Sequence, residues 1–168
     1  MKSFFQPLLL VAIFSFVLFS CSQEDDGIYF TESVEEYDLD NVSYSELETE
    51  ILTLVNNYRE SIGLTSLSNL DIVSSVADGH TNYMIENGKV SHDNFDQRSQ
   101  ALMTNASAKS VAENVAYGYT TAQGVLDGWL NSASHKAVIE NPNFTHFGIS
   151  TETNASGRNY FTHIFIKK

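Results

Sequence analysis

The order of hydrophobic patterns along the chain constrains its fold most strongly. Segments with helical spacing of apolar residues come first, and two segments with strand character come last. That order is typical of an α+β layer structure, whereas alternating strands and helices would indicate βαβ units. The stretch that carries these patterns, 44–168, is long enough for one domain with its own core. The sequence therefore predicts a single α+β domain over 44–168.

Apolar periodicity and end signals place the elements within this domain. A capping box at Ser43-Tyr44-Ser45-Glu46 begins the first helix, and Asn69 caps the second. The predicted helices cover about 44–62, 69–87, 95–103, 120–130 and 132–138. Residues 105–110 are predicted to form a polar loop. The predicted strands cover 147–151 and 160–166, joined by a turn at 154–157.

The first twenty residues have the features of a secretory leader. Lys2 supplies a positive charge, and residues 8–19 form an apolar run too short to span a bilayer comfortably. The Leu18-Phe19-Ser20-Cys21 tetrapeptide resembles a bacterial lipobox, in which the cysteine is acylated and begins the mature protein. We therefore predict a lipoprotein signal peptide over 1–20 and lipidation of Cys21. The alternative is an ordinary secretory signal with a chance cysteine at its end.

Charge is unevenly distributed along the chain, whose formal net charge is −12. Between Cys21 and Glu50 there are eleven acidic residues and no Lys or Arg, whereas 51–168 carries ten acids and eight bases. Residues 21–43 are predicted to form an acidic tether between lipid anchor and domain. An acidic run after the anchor also resembles surface-export signals of some Gram-negative lipoproteins. The sequence has no basic cluster, so nucleic acid is not an expected partner.

Two histidines and one glutamate are the main candidates for chemistry. Neutral imidazoles from His92 and His135, with the Glu113 carboxylate, are ligand types that zinc accepts. Alternatively, Glu113 is architectural and accepts hydrogen bonds that lock the surrounding loops. Both interpretations remain open at the level of sequence.

Four further polar or aromatic residues receive structural interpretations. His80 lies on the apolar face of the second helix and is predicted to be a core residue. Arg98 is interpreted as an ion-pair brace, as is Arg59. Trp129 is predicted to pack in the core beneath a cleft.

Seven short motifs follow one another in a characteristic order. They are Asn56-Asn57-Tyr58-Arg59, Ala77-Asp78-Gly79-His80, Ser91-His92, Ala112-Glu113-Asn114-Val115-Ala116, Trp129-Leu130-Asn131-Ser132 with His135, Phe147-Gly148-Ile149, and Tyr160-Phe161-Thr162-His163. This succession resembles the CAP superfamily of cysteine-rich secretory, antigen 5 and pathogenesis-related proteins, in particular its bacterial disulfide-free members. The resemblance covers essentially all of 51–168.

The resemblance implies an α-β-α sandwich with a central antiparallel sheet and a cleft lined by two histidines and two acids. His92 matches the first histidine of the family and Glu113 its first glutamate. Ser132 stands where the family has its second glutamate. Asn159-Tyr160 stand where its second histidine belongs, and His163 replaces a glutamine.

These observations predict a monomeric, extracytoplasmic, lipid-anchored domain that binds a small-molecule lipid, an envelope glycan fragment or a peptide without catalysis. The expected location is the bacterial cell envelope, at the outer membrane or cell surface. A metal-dependent hydrolase or peptidase is one alternative, and a scaffold with an architectural cleft is another. The candidate ligand-binding residues are His92, Glu113, Asn114, Ser132, His135, Tyr160 and His163, and the candidate metal ligands are His92, His135 and Glu113.

Replacing the predicted lipidation site tests the anchor. Cys21→Ala should move the full chain out of the membrane fraction or leave it unprocessed, because no other cysteine is available for acylation. Membrane fractionation and intact-mass measurement check this, with Ser20→Ala as a control that keeps Cys21. A Cys21→Ala variant that is correctly processed and still membrane-bound contradicts lipidation.

Overall fold

The computed structural model describes residues 42–168 of the chain. The predicted signal peptide, Cys21 and the predicted tether as far as residue 41 lie outside this range. The described elements are α1 (Glu46–Ser61), β1 (Ser68–Asn69), α2 (Asp71–Asn87), α3 (Phe95–Asn105), β2 (Ser110–Tyr117), α4 (Ala122–Leu130), α5 (Ala133–Ile139), β3 (His146–Thr153) and β4 (Asn159–Lys167). No helix within 42–168 is both long enough and apolar enough to span a bilayer.

The four described strands form one sheet in the order β1-β3-β4-β2. β4 pairs antiparallel with β3 and with β2, so the three long strands form the antiparallel sheet that the family resemblance implies. The two-residue β1 adds a parallel pairing to β3, so the complete sheet is mixed. His163 lies in the central strand, opposite Asn114 on one side and Ile149 on the other.

Helices cover both faces of the sheet, as the predicted α-β-α sandwich requires. On one face, apolar residues of α2 and α3 pack with Ile164 and Ile166 of β4. On the other face, α1 and α4 pack with Phe161 and Phe165. The alternation along β4 follows from the two-residue period of a strand. Helix and sheet approach closely at Gly148, where an added Cβ would lie 2.4 Å from the backbone nitrogen of Ser74 in α2.

Most predicted elements are present, but two helix starts were wrong. The capping box of α1 uses Ser45 and Glu48 instead of Ser43 and Glu46, because Tyr44 is held outside the helix by bonds to α2. Asn69 does not cap α2, because it pairs with β3 as part of β1.

Strand β2 was not predicted at all. Its sequence, SVAENVAY, lacks the alternation of apolar and polar residues that marks a half-buried strand. The alternation is absent because Glu113 and Asn114 are both buried, one on each face of the sheet, with their polar groups bonded inside the protein.

Arg59 braces three chain segments through backbone carbonyls instead of a carboxylate. Its side chain is fully buried and donates to the carbonyls of Thr65, Ile139 and Asn141. Burial lowers the pKa of Arg59, and the carbonyls at the end of α5 offset the cost of its charge. The predicted bracing role of Arg59 is correct, but its partners within 42–168 are backbone carbonyls and not the predicted carboxylate.

The buried carboxylate of Glu48 joins α1 to the outer edge of β3. Its Oε2 accepts from the backbone and hydroxyl of Ser45, each at 2.8 Å. Its Oε1 accepts the N–H of Thr151 at 2.7 Å. Because β1 covers only the start of β3, this bond satisfies an edge N–H that β1 does not reach.

Glu48→Gln should lower the free energy of unfolding by about 1–3 kcal/mol, because the amide places an N–H group against donors that need an acceptor. Urea denaturation checks this. Glu46→Gln, in the exposed first turn of the same helix, should cost less than about 1 kcal/mol. Equal losses for the two variants would show that the Thr151 bond contributes little.

Candidate functional site

Glu113 is the centre of the candidate site. Its side chain is 1% exposed and projects from β2 toward α2 and α3. Arg98 of α3 binds it with two parallel bonds, Nε to Oε2 and Nη2 to Oε1, each at 2.8 Å. The Nδ1 of His92 lies 2.8 Å from the same Oε1. The predicted Arg98 ion pair is thus present, and His92 and Glu113 are in direct contact.

The loop between α2 and α3 is fixed by neighbouring groups. Arg98 Nη1 donates to the carbonyl of Asp93 at 2.7 Å. His80 Nε2 lies 2.8 Å from the carbonyl of Ser91, which can only accept, so this nitrogen carries the proton. These two bonds flank His92 and hold its backbone in place.

His80 is a core residue, as predicted, and also borders the site. It is 3% exposed, stacks on Tyr83 at 5.8 Å between ring centroids, and approaches Glu113 Oε1 to 3.8 Å. Burial lowers the pKa of His80, which keeps the ring neutral at physiological pH.

The electrostatic state of Glu113 is set by its partners. Burial by itself raises the pKa of Glu113, but hydrogen bonds from His92 and Arg98, with the Arg98 charge, outweigh it and lower the pKa. Glu113 is therefore ionised and accepts the Nδ1 proton of His92. The His92 side chain is 51% exposed, so Nε2 is the ring nitrogen left for an external group.

His135 lies on α5, which packs beside β2 on the side of the sheet opposite Glu113. Its backbone carbonyl accepts a bond from Asn114 Nδ2 at 3.1 Å. Burial lowers the pKa of His135, and the nearby charge of His92 lowers it further. His92 is therefore close enough to His135 to affect its pKa.

Ser132 is the N-cap residue of α5, but its side chain makes no capping bond. Its Oγ lies 3.2 Å from that of Ser134. Both serines are at least partly accessible to solvent. The Ser132 hydroxyl is therefore free of a capping bond at the start of the helix that carries His135.

Three predicted cleft residues are buried. Asn114 and His163 have no exposed surface, and Tyr160 is 3% exposed. Tyr160 packs on Tyr117 at 4.7 Å between ring centroids, on the face that carries Glu113. Trp129 is also in the core, as predicted, and its Nε1 donates to the carbonyl of Val115. These residues form the interior behind the site.

The residues do not fit the predicted zinc site. Within 42–168, no group of three or more His, Cys, Asp or Glu side chains is placed to hold a metal ion. Glu113 Oε1 already accepts from Arg98 and His92, and the Nδ1 of His92 is bonded to it. A zinc ion shared by His92, His135 and Glu113 would have to displace this ion pair.

Arg98 and His80 are the contributors whose roles sequence reasoning underestimated. Both lie on helices at buried positions, where a charged or polar side chain needs a partner. The signal was available for Arg98, because a buried arginine is rarely unpaired. Its partner Glu113 could not be predicted, because Glu113 lies on β2, a strand that was not predicted.

The buried His163 predicts acid sensitivity. Burial lowers the pKa of His163 to about 3, so the folded protein keeps the ring neutral while the unfolded chain takes up a proton below about pH 6.5. The neutral, buried ring of His163 therefore contributes its full stability to the fold above pH 6.5. This stability is lost as the pH falls toward 3. Unfolding free energy should drop by roughly 1 kcal/mol per pH unit between pH 6 and 5.

Denaturation at stepped pH values measures this slope. His163→Gln should flatten it, whereas His146→Gln, which removes a less buried histidine, should change it less. An unchanged slope in His163→Gln would show that other groups cause the acid sensitivity.

Comparison with known families gives the same family that the order of motifs in the sequence implies. The model of the CAP family, described as the cysteine-rich secretory protein family, matches residues 52–165. The membrane protein YlbC of Bacillus subtilis is 32% identical over 124 residues, which is 72% of this chain. The chain spans only 34% of the length of YlbC.

Two solved structures resemble the fold. An outer surface protein of Borrelia burgdorferi superposes with a TM-score of 0.68 and 23% identity, covering 76% of this chain and 96% of that one. An extracellular SCP-domain protein of Bacillus anthracis gives 0.64 and 27% identity, covering 72% of this chain and 40% of that one. The family match, together with the α-β-α sandwich and the His92–Glu113 contact, leads to one conclusion: this chain belongs to the CAP superfamily.

Proposed function

We propose that this protein is a lipid-anchored, extracytoplasmic CAP domain that binds a ligand at His92 without converting it chemically. The observation that carries the proposal is the half-exposed imidazole of His92, held through Nδ1 by a buried, ionised glutamate. This bond orients the ring and leaves Nε2 directed away from Glu113, where it can accept a hydrogen bond when the ring is neutral and donate one when the ring is protonated. An imidazole oriented in this way is suited to a polar group of a ligand.

The pairing of Glu113 argues against a hydrolase. A general base needs a free lone pair and a pKa near the working pH. Arg98 occupies both carboxylate oxygens, and the pKa of Glu113 is lowered instead of raised. Neither a metal-bound water nor a carboxylate base is therefore supported at this position.

The exposure of His92 argues against a purely architectural site. Arg98 alone neutralises Glu113 and also bonds the loop at Asp93. Locking the loop does not require an imidazole with half of its surface in solvent. His92 therefore has a feature that the scaffold alternative leaves without a purpose.

The cell surface is the proposed location. YlbC is named a membrane protein, and the two structural relatives are named as outer surface and extracellular proteins. The lipobox at Cys21 and the acidic segment after it are consistent with that location. An envelope lipid, a glycan fragment or a peptide is the proposed ligand, because such molecules are present there.

Substitution of His92 by asparagine separates binding from bracing. The shorter side chain would place its amide nitrogen near the position of Nδ1 and keep the bond to Glu113, but it has no counterpart of Nε2. We expect His92→Asn to retain the unfolding free energy within about 1 kcal/mol and to lose at least about tenfold of any co-purifying molecule. His146→Ala is the control, because His146 lies on β3 and bonds Thr145 instead of Glu113.

The measurement is mass spectrometry of small molecules released from the full chain after purification from a bacterial envelope. The same molecule should appear in the wild type and in His146→Ala. Finding it at equal levels in His92→Asn, or finding none in the wild type, contradicts the proposal.

A further inference from the structure

Asn114 and His163 form a buried polar pair that the proposed role of His92 does not use. They are direct partners in the register of β2 and β4. Opposed residues of an antiparallel pair project from the same face of the sheet. Both side chains therefore enter the layer between the sheet and the α4 and α5 helices, and both have no exposed surface.

The surroundings of this pair are largely aromatic. The His163 ring lies 4.2 Å from Phe165 and 5.4 Å from both Phe147 and Trp129, measured between ring centroids. Asn114 uses its Nδ2 to bond the carbonyl of His135. The Oδ1 of Asn114 and both ring nitrogens of His163 have no hydrogen-bond partner among residues 42–168.

Three such atoms on two facing side chains are costly if nothing bonds them. An unsatisfied buried donor or acceptor destabilises a fold by about 1–3 kcal/mol. Buried polar groups without protein partners are commonly satisfied by a bound polar molecule when two or more of them converge. Asn114 and His163 are opposed in the register of β2 and β4, so their side chains leave the sheet next to each other on one face.

The donor and acceptor inventory restricts what can bind there. Asn114 Oδ1 can only accept, so the bound group must donate a hydrogen. A neutral imidazole offers one N–H and one lone pair, so His163 can serve as donor or as acceptor. A carboxylate cannot donate to Asn114, and an ionised group of either sign would lose its hydration at this fully buried position. A neutral O–H group meets both requirements.

We infer that Asn114 Oδ1 and His163 bind one neutral hydroxyl group between them, supplied by an internal water or by the alcohol group of a ligand. The hydroxyl donates to Asn114 and accepts from the ring N–H of His163. Because Asn114 also bonds His135, the hydroxyl connects the central strand to the helix that carries His135. Only the ligand source of the hydroxyl depends on the proposed function.

The two sources are distinguished in crystal structures of the full chain. One sample is purified from the bacterial envelope, and the second is unfolded in urea and refolded without lipid, glycan or peptide. Both should contain electron density within about 3.2 Å of Asn114 Oδ1 and of one His163 nitrogen. Isolated density in both samples identifies a water, whereas density continuous with a larger molecule in the first sample identifies a ligand hydroxyl.

Absence of density in both samples, or a direct bond between Asn114 and His163, overturns the inference. The result is independent of the His92 experiment, since a water can be present even if no ligand is ever found. Conversely, if a ligand binds only at His92, the electron density near Asn114 and His163 still decides whether the inference is correct.

A double-mutant cycle provides a second measurement. Asn114→Ala should reduce the folding equilibrium constant about 2- to 10-fold more in the wild type than in a His163→Phe background, because the shared hydroxyl is already lost there. The bond to His135 is removed in both backgrounds and cancels. His163→Gln, which keeps a donor and an acceptor, should restore the larger effect. Equal effects of Asn114→Ala in all three backgrounds contradict a shared bound group.

Discussion

The buried ion pair between Arg98 and Glu113 is the interaction on which the candidate site depends. It joins α3 to β2 with two parallel bonds, and Arg98 continues to the carbonyl of Asp93. A buried carboxylate without this partner would be strongly destabilising. With it, Glu113 stays ionised and orients His92. The same pair thus stabilises the packing of three segments and sets the chemical state of the most exposed ring in the site.

Strand β2 gives the molecule two polar environments on adjacent residues. Glu113 faces α2 and α3, where the guanidinium of Arg98 supplies charge compensation. Asn114 faces α4 and α5, where its neighbours in the described domain are an aromatic cluster and a backbone carbonyl. An ionised residue is therefore stable on the first face, and only neutral groups are stable on the second. A strand buried on both faces can place such different chemistry side by side because adjacent side chains point in opposite directions.

The sequence allowed the α+β class, the family and most helices to be predicted, because their signals are local or are ordered along the chain. The shift of the α1 capping box and the loss of Asn69 as a cap had non-local causes, namely the Tyr44 bonds to α2 and the pairing of β1. Strand β2 was missed because its polar residues are satisfied by distant segments. His92 and Glu113 were correctly grouped, but Arg98 became their partner only once β2 was placed.

Zinc was a reasonable expectation from residue types, yet residue types do not report which lone pairs are free. Glu113 offers its oxygens to Arg98 and His92, so its charge is used within the protein. The chemistry left at the surface of the site is that of a single imidazole nitrogen with a fixed orientation, and the chemistry left inside is that of a neutral amide and imidazole. The groups at both places act through hydrogen bonds, and the charge of the Glu113 carboxylate between them is already neutralised by Arg98. An arrangement of this kind is suited to recognising polar groups, because its strongest potential base is committed to an ion pair.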